Sequence, residues 1–264
     1  MYNERDNIAA TLRQTLAVIP KLGFSDYEIL VVDDGSKDGS AEVVQRFMQD
    51  NPHVRLVQHP KNLGYGAALR TGFQSARCDL VFYTDSDLPV DLQVLVDALP
   101  RAQQTDLLIG FRKKRFDTPR RALYSRVYNL LVRLLFGVKV RDVNFLFKFV
   151  HRRVLDAIRL TASSVFIDGQ LLAEARRKGF QLSELPIDYH PRVIGSSSFN
   201  SLRAAWVTLL EIVKHRFAPD SLAIQGPKAI EVQNEPKKFP SLPSPELLAE
   251  LAKHHSDPSL PRLG

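Results

Sequence analysis

The stretch Asp79-Leu-Val-Phe-Tyr-Thr-Asp-Ser-Asp-Leu-Pro89 is an apolar run that breaks off in two carboxylates, Asp85 and Asp87. The run reads as a buried strand, and Asp, Ser and Pro read as the turn that ends it. Carboxylates one residue apart lie about 6.6 Å from each other on one side of an extended strand, and converge further where it turns. A hard divalent cation such as Mg²⁺ or Mn²⁺ takes one or two carboxylates and completes its shell with water and phosphate oxygens. Asp85 and Asp87 are therefore candidate metal ligands at a strand end. Turn-forming acids near a helix start would produce the same letters, so the surrounding sequence has to decide.

The surroundings repeat the pattern. Tyr27-Glu-Ile-Leu-Val-Val32 is a second continuous apolar run, typical of a parallel strand covered on both faces, and it ends in Asp33-Asp34-Gly35-Ser36. Ile8, Leu12, Leu16 and Ile19 predict a helix over 7–22, and Val43, Val44, Phe47 and Met48 predict another. A strand follows at 54–57, then the small-residue segment Gly64–Ala76, whose glycines and alanines suit a helix lying close on a sheet. Beyond the opening stretch come a helix around 92–99 and a strand at 107–110. Alternation of this kind predicts an α/β fold with a mostly parallel sheet and helices on both faces. Ligands in such sheets gather beyond the carboxyl ends of strands, which is where both acid clusters fall.

After Arg112 the alternation loosens into a basic helix at 121–136, a strand at 145–149, a helix at 168–178, extended pieces over 180–189 and a helix at 201–217. Eight of the sixteen prolines lie in 218–264, so that segment is expected to be a largely disordered tail, with a short helix only at 245–252. The expected organisation is one domain over 1–217 and the tail over 218–264.

Composition narrows the function classes. Cys78 is the only cysteine, which excludes an internal disulfide and suits a reducing compartment. No uninterrupted apolar run approaches the roughly 20 residues of a membrane span. The net charge of +7 is uneven: thirteen of the 36 Lys and Arg fall between Arg112 and Arg153 with only Asp117 and Asp142, leaving 23 basic against 27 acidic residues elsewhere. Such a block points to a phosphate-rich partner. Nucleic acid is not the expected one, because no recognition motif is present and the paired acids would repel a phosphate backbone.

Taken in order, several segments resemble the family 2 glycosyltransferases of GT-A fold, within them the dolichyl- or polyprenyl-phosphate mannose synthases. They are Met1-Tyr-Asn-Glu-Arg-Asp-Asn-Ile8, Val31-Val-Asp-Asp-Gly-Ser36, Asn62-Leu-Gly-Tyr-Gly66, Thr84-Asp-Ser-Asp-Leu88, Gly110-Phe-Arg112, Arg141-Asp-Val-Asn-Phe-Leu-Phe-Lys148, and Ser183 to Arg192 with Gly195 and Ser197. The resemblance implies a GT-A, Rossmann-like architecture and transfer of a hexose from GDP-mannose or UDP-glucose to a polyprenyl or dolichyl phosphate, with inversion. It implies that Tyr2 and Glu4 sit against the nucleotide and that Val32 and Asp34 bind its base. Ser86 would contact the nucleotide through its backbone, Asp85 and Asp87 would hold the metal, with Asp87 the catalytic group, and Arg112 and Arg192 would face phosphates. The helices at 121–136 and 201–217 each combine an apolar face with Arg and Lys, which predicts a peripheral attachment to a membrane, expected on its cytoplasmic face.

The chain also departs from the family pattern. A family member carries a strand ahead of Tyr-Asn-Glu; that first strand is expected to be missing here, which would leave Tyr2 and Glu4 on a fraying terminus. Pro89, Gln170 and Ser198 stand where relatives carry a polar metal-side residue, Glu and Lys. Two other readings follow. One is a transferase with a saccharide or other hydroxyl acceptor, for which Asp142 or Asp168 would be the base. The other is a non-catalytic nucleotide-sugar-binding protein.

Overall fold

A computed structural model describes residues 1–24, 26–87, 90–114, 119–189 and 202–217. Arg192, Pro89, Gly195, Ser197, Ser198 and the segment 218–264 lie outside the described residues.

Helix α1 (Arg5–Val18) buries Ile8 and Leu12 and runs into a 3₁₀ turn, Ile19–Leu22. Strand β1 (Ile29–Asp33), helix α2 (Ser40–Asp50), strand β2 (Val54–Gln58) and helix α3 (Tyr65–Ser75) follow. Next come β3 (Leu80–Thr84), α4 (Val94–Gln103), β4 (Leu107–Arg112) and α5 (Pro119–Phe136). The described part is completed by β5 (Phe147–His151), α6 (Arg152–Ala157), α7 (Phe166–Arg177), β6 (Leu182–Ile187) and α8 (Leu202–Phe217). Helix α6 is the one element with no counterpart in the sequence reading. Six residues are too few to display a 3.6-residue period.

Strands β1 and β2 pair in parallel, Val31 opposite Leu56. The other four run in the order β3-β5-β4-β6. Strand β5 is antiparallel to both β3 and β4, while β4 and β6 are parallel. So β3, β4 and β6 share one direction and β5 alone is reversed, a mostly parallel α/β arrangement as expected.

The alternation along β4 and β5 splits the core in two. Leu108, Phe147 and Phe149 face Leu95, Val96 and Leu99 of α4. Leu107, Ile109 and Val150 face Val132 of α5 and Leu171, Leu172 and Ala175 of α7. Helices therefore cover both faces of this sheet, and burying apolar side chains on each is what holds the layers together. Both acid-bearing strands, β1 and β3, deliver their last residues to the same end of the molecule.

Candidate active site

The local chain makes the strand ends close in on each other. Gly35 follows Asp34 with φ +74, and a Cβ there would meet the Lys61 carbonyl carbon at 2.5 Å, so only glycine lets the 59–64 loop lie against the end of β1. That loop is fastened by Asp34, 4% exposed. One Asp34 oxygen accepts from His59 Nδ1 at 2.7 Å and from the Leu63 N–H at 2.8 Å, and the other accepts from the Gly64 N–H at 2.9 Å. Asp33, fully buried, accepts from the Ser36 N–H and hydroxyl and from Gln58 Nε2. Both acids of the β1 end thus spend oxygens on fixing the turn, and Asp34 is aimed into the protein.

The segment Met1–Arg5 is stitched along this same end, contrary to the fraying expected from the sequence. The Met1 amino group donates to Val32 O at 2.6 Å and Met1 O accepts from the Asp34 N–H at 2.9 Å. Asn3, with φ 53, donates its N–H to Ser36 Oγ and accepts the Lys37 N–H on Oδ1. The Glu4 N–H goes to Ser40 Oγ, and the Arg5 N–H to Asp38 Oδ2. Tyr2 is 42% exposed beside this anchored stretch, while Glu4 is half-buried with its carboxylate accepting from Asn7 Nδ2. Val32 is half-buried one residue before the acids.

Asp85 belongs to the same group. Burial lowers the pKa of the Met1 amino group, and Asp33, Asp34, Asp85 and Glu4 oppose that lowering, which puts the end of β3 within electrostatic reach of the segment bound along the end of β1. Asp85, Ser86 and Asp87 are all half-buried, and Thr11 Oγ1 of α1 donates to Ser86 O at 2.5 Å, holding the turn after β3. Among the described residues no three His, Cys, Asp or Glu side chains form a metal cage.

Beneath Asp85 lies a buried polar cluster that the sequence reading missed. Lys148 of β5 is 0% exposed and donates to Asp168 Oδ1 at 2.7 Å and to Phe145 O at 2.8 Å. Asp168 also accepts from Tyr83 at 2.8 Å and, on its other oxygen, from Tyr65 at 2.6 Å. Burial first, and the Asp168 charge second, hold both phenols protonated far above their ordinary pKa, with Asp85 adding to the effect on Tyr65. The available signals were Lys148 alone in the apolar run Phe145–Val150, and Tyr83 two residues before Asp85 on the same side of β3.

Arg112 and Asp142 form a second pair, Nε to Oδ2 at 2.7 Å and Nη2 to Oδ1 at 3.2 Å. The guanidinium stacks near Phe145 and Tyr189, 5.7 and 5.5 Å from the ring centroids. The structure thus places Arg112 at the end of β4 with its charge already engaged by a carboxylate. Asp142 and Asp168, weighed as bases for a hydroxyl acceptor, are both buried and paired with cations, Arg112 and Lys148. Gln170 accepts the Thr161 and Ala162 N–H groups and donates to Thr161 Oγ1, a structural clamp.

Comparison with known proteins gives one consistent result. The sequence profile described as glycosyl transferase family 2 matches residues 1–159. The chain is 32% identical over 200 residues to glycosyltransferase AglD of Haloferax volcanii, covering 72% of this chain and 32% of that protein. It is 30% identical over 207 residues to the undecaprenyl-phosphate 4-deoxy-4-formamido-L-arabinose transferase of Pseudomonas fluorescens (strain Pf0-1), covering 77% of this chain and 59% of the relative. The chain therefore spans well under two thirds of these relatives. Among solved structures it is similar to glucosyl-3-phosphoglycerate synthase of Mycobacterium tuberculosis in complex with Mn²⁺ and UDP-glucose, with TM-score 0.60 and 19% identity over 82% of this chain and 76% of that one.

Proposed function

Since the chain belongs to glycosyl transferase family 2 and carries its GT-A fold, we propose that it transfers a hexose from a nucleotide diphosphate sugar, GDP-mannose or UDP-glucose, to a polyprenyl phosphate, with inversion. The observation that carries this reading is that one N-terminal segment is bonded to both acid-bearing strand ends, Met1 to Val32 and Asp34 at the end of β1 and Thr11 of α1 to Ser86 between Asp85 and Asp87. The lipid phosphate is favoured as acceptor by the relative that acts on undecaprenyl phosphate. It is favoured also by the engagement of Asp142 and Asp168, because an anionic phosphate oxygen needs no base, whereas a hydroxyl acceptor does.

In this proposal Asp85 and Asp87 hold a Mg²⁺ or Mn²⁺ ion, and the ion supplies positive charge against the departing diphosphate. Tyr2 and Glu4 line the nucleotide side on a backbone fixed by the 36–40 turn, and Val32 lies beside the base. Ser86 presents its backbone to the nucleotide from a turn held by Thr11. Arg192 and the basic block after β4 meet phosphate. Asp34 acts on the base side by fixing the 59–64 loop. Most of the catalytic effect then comes from positioning and from charge arranged in advance. Residues 1–217 form the catalytic unit in this scheme.

The direct test offers the purified protein radiolabelled GDP-mannose or UDP-glucose with Mn²⁺, against polyprenyl phosphate and against water. Label moving into the organic phase supports the reading. Sugar released only to water, or no turnover with either donor, sinks it.

Attachment to the cytoplasmic face of a membrane, as a peripheral protein, completes the proposal. No described helix is long and apolar enough to cross a membrane. Helix α5 nevertheless exposes Leu123, Val127, Leu130 and Leu134, and α8 exposes Trp206, Leu210, Val213 and Phe217, at the same spacing of four, three and four. Arg126, Arg133, Lys214 and Arg216 are exposed on the same two helices. Apolar stripes flanked by cations suit a helix lying in a lipid interface. Each cation near an anionic surface contributes about 1 kcal/mol. The protein should float with phosphatidylglycerol vesicles at low salt and be released at high salt, and Trp206→Asp with Leu210→Asp should not float at all. Flotation indifferent to salt, or none by the unsubstituted protein, would count against attachment.

A further inference from the structure

Helix α8 reaches the acid-bearing strand ends through one side chain. Glu211 leaves the buried face of α8 and accepts four hydrogen bonds from the loop before α7. Oε1 takes the Ser163 N–H at 2.9 Å and its hydroxyl at 2.6 Å, and Oε2 takes the Ser164 N–H at 3.1 Å and its hydroxyl at 2.5 Å. On its other side this loop presses on α3. Ser163 O accepts the Gly66 N–H at 3.0 Å, and Arg70 donates to the Thr161 and Ala162 carbonyls. There is no slack in the contact, since a Cβ at Gly66 would lie 2.5 Å from Ala162 O. The start of α3 is in turn the segment that Asp34 grips at Leu63 and Gly64, and its Tyr65 shares Asp168 with Tyr83, two residues before Asp85.

We infer that Glu211 is a positioning residue, through which the placement of α8 sets the loop at 161–164 and so the geometry of the strand ends that carry Asp34 and Asp85. The inference rests on the proposed function for its consequence, namely that α8 seated on lipid holds the donor site in its binding-competent form. The physical basis does not depend on it. Four donors meeting one carboxylate define the loop's position more narrowly than apolar contact can, because hydrogen bonds to a charged acceptor are short and directional. Apolar packing of Ile212 with Phe166, Ile167, Tyr65 and Leu69 also links α8 to α3, but the Glu211 contact is the one that reaches Ser163, whose carbonyl accepts the Gly66 N–H.

Glu211→Gln keeps the side chain's shape but turns one acceptor into a donor facing N–H and O–H groups. Its effect is to be compared in the full chain with Glu174→Gln, which perturbs the α7–α8 contact elsewhere, where Glu174 Oε1 meets His215 Nε2 at 3.1 Å. Hydrogen exchange is the first readout and needs neither donor nor acceptor, so it stands whatever the transfer assay gives. Glu211→Gln should speed exchange at residues 63–66 and 83–87, and Glu174→Gln should not. Affinity for UDP or GDP with Mn²⁺, whichever the unsubstituted protein binds, should fall by roughly threefold to thirtyfold in Glu211→Gln only. Ser163→Ala, which removes one hydroxyl and keeps the carboxylate, should show a weaker version of both effects, and replaces Glu211→Gln if that variant does not fold. Faster exchange confined to α8 and residues 163–164, or equal changes in the Glu174 control, would overturn the inference.

Discussion

Lys148→Met is expected to destabilise the fold by about 3–5 kcal/mol, the cost of breaking a buried ion pair from one side. Lys148 has no exposed surface and Asp168 only 1%, so neither charge can turn to water when its partner is lost. The two tyrosines that donate to Asp168 would remain, but neutral hydroxyls offset only part of an uncompensated carboxylate. Asp168→Asn should cost a similar amount, because the buried ammonium would keep only neutral partners, Phe145 O, the Tyr83 ring and the amide oxygen. The double variant Lys148→Met/Asp168→Leu separates stability from function. Replacing both charges by apolar groups should recover most of the loss, since a buried pair contributes little net stability. It should not recover transfer or nucleotide affinity, because Tyr65 and Tyr83 lose the acceptor that fixes them beneath Asp85. Urea denaturation with a double-mutant cycle measures the first, and calorimetric titration of nucleotide with Mn²⁺ the second. A Lys148→Met cost below about 1 kcal/mol would mean the pair is better solvated than its burial implies.

This cluster also shows where the sequence stops being legible. The strands could be read to within a residue or two because buried strands are continuous apolar runs between turn formers, as at Ile29–Asp33 and Leu80–Thr84. Asp85 and Asp87 could be read as a candidate site because function at strand ends is a rule of the fold class, local to a few letters. A lysine inside Phe145–Val150 announces a buried charge, but its partner lies twenty residues on, past helix α6 and inside α7. Asp34 shows the same limit: its place at the end of β1 is legible, whereas its grip on His59, Leu63 and Gly64 depends on how a distant loop folds back. The reversed direction of β5 was likewise hidden, because the connection from β4 through α5 is long enough to return either way. Local pattern gives elements and their ends. Which buried polar groups meet is fixed only by packing.

The largest expected effect on activity belongs to the pair at the start of the sequence reading. Asp85→Ala or Asp87→Ala should lower transfer by about a hundredfold to a thousandfold, the range seen when one preorganised electrostatic group is removed from a reacting centre. The same changes should leave the fold intact. Both residues lie in the turn beyond β3, outside the apolar clusters that hold the sheet. Activity and stability should therefore move independently here, unlike at Lys148, where they fall together. Two further measurements locate the cause. Mn²⁺-dependent nucleotide binding should be lost in both variants, while any binding of nucleotide without metal should be kept, because Tyr2, Glu4 and Val32 are held by the 36–40 turn and β1 and not by the β3 turn. Asp87→Asn, which keeps the shape and removes the charge, should behave like Asp87→Ala if the carboxylate works as a metal ligand and a source of field. An Asp87→Ala protein that transfers sugar at the unsubstituted rate in the presence of chelator would remove the metal from this site altogether.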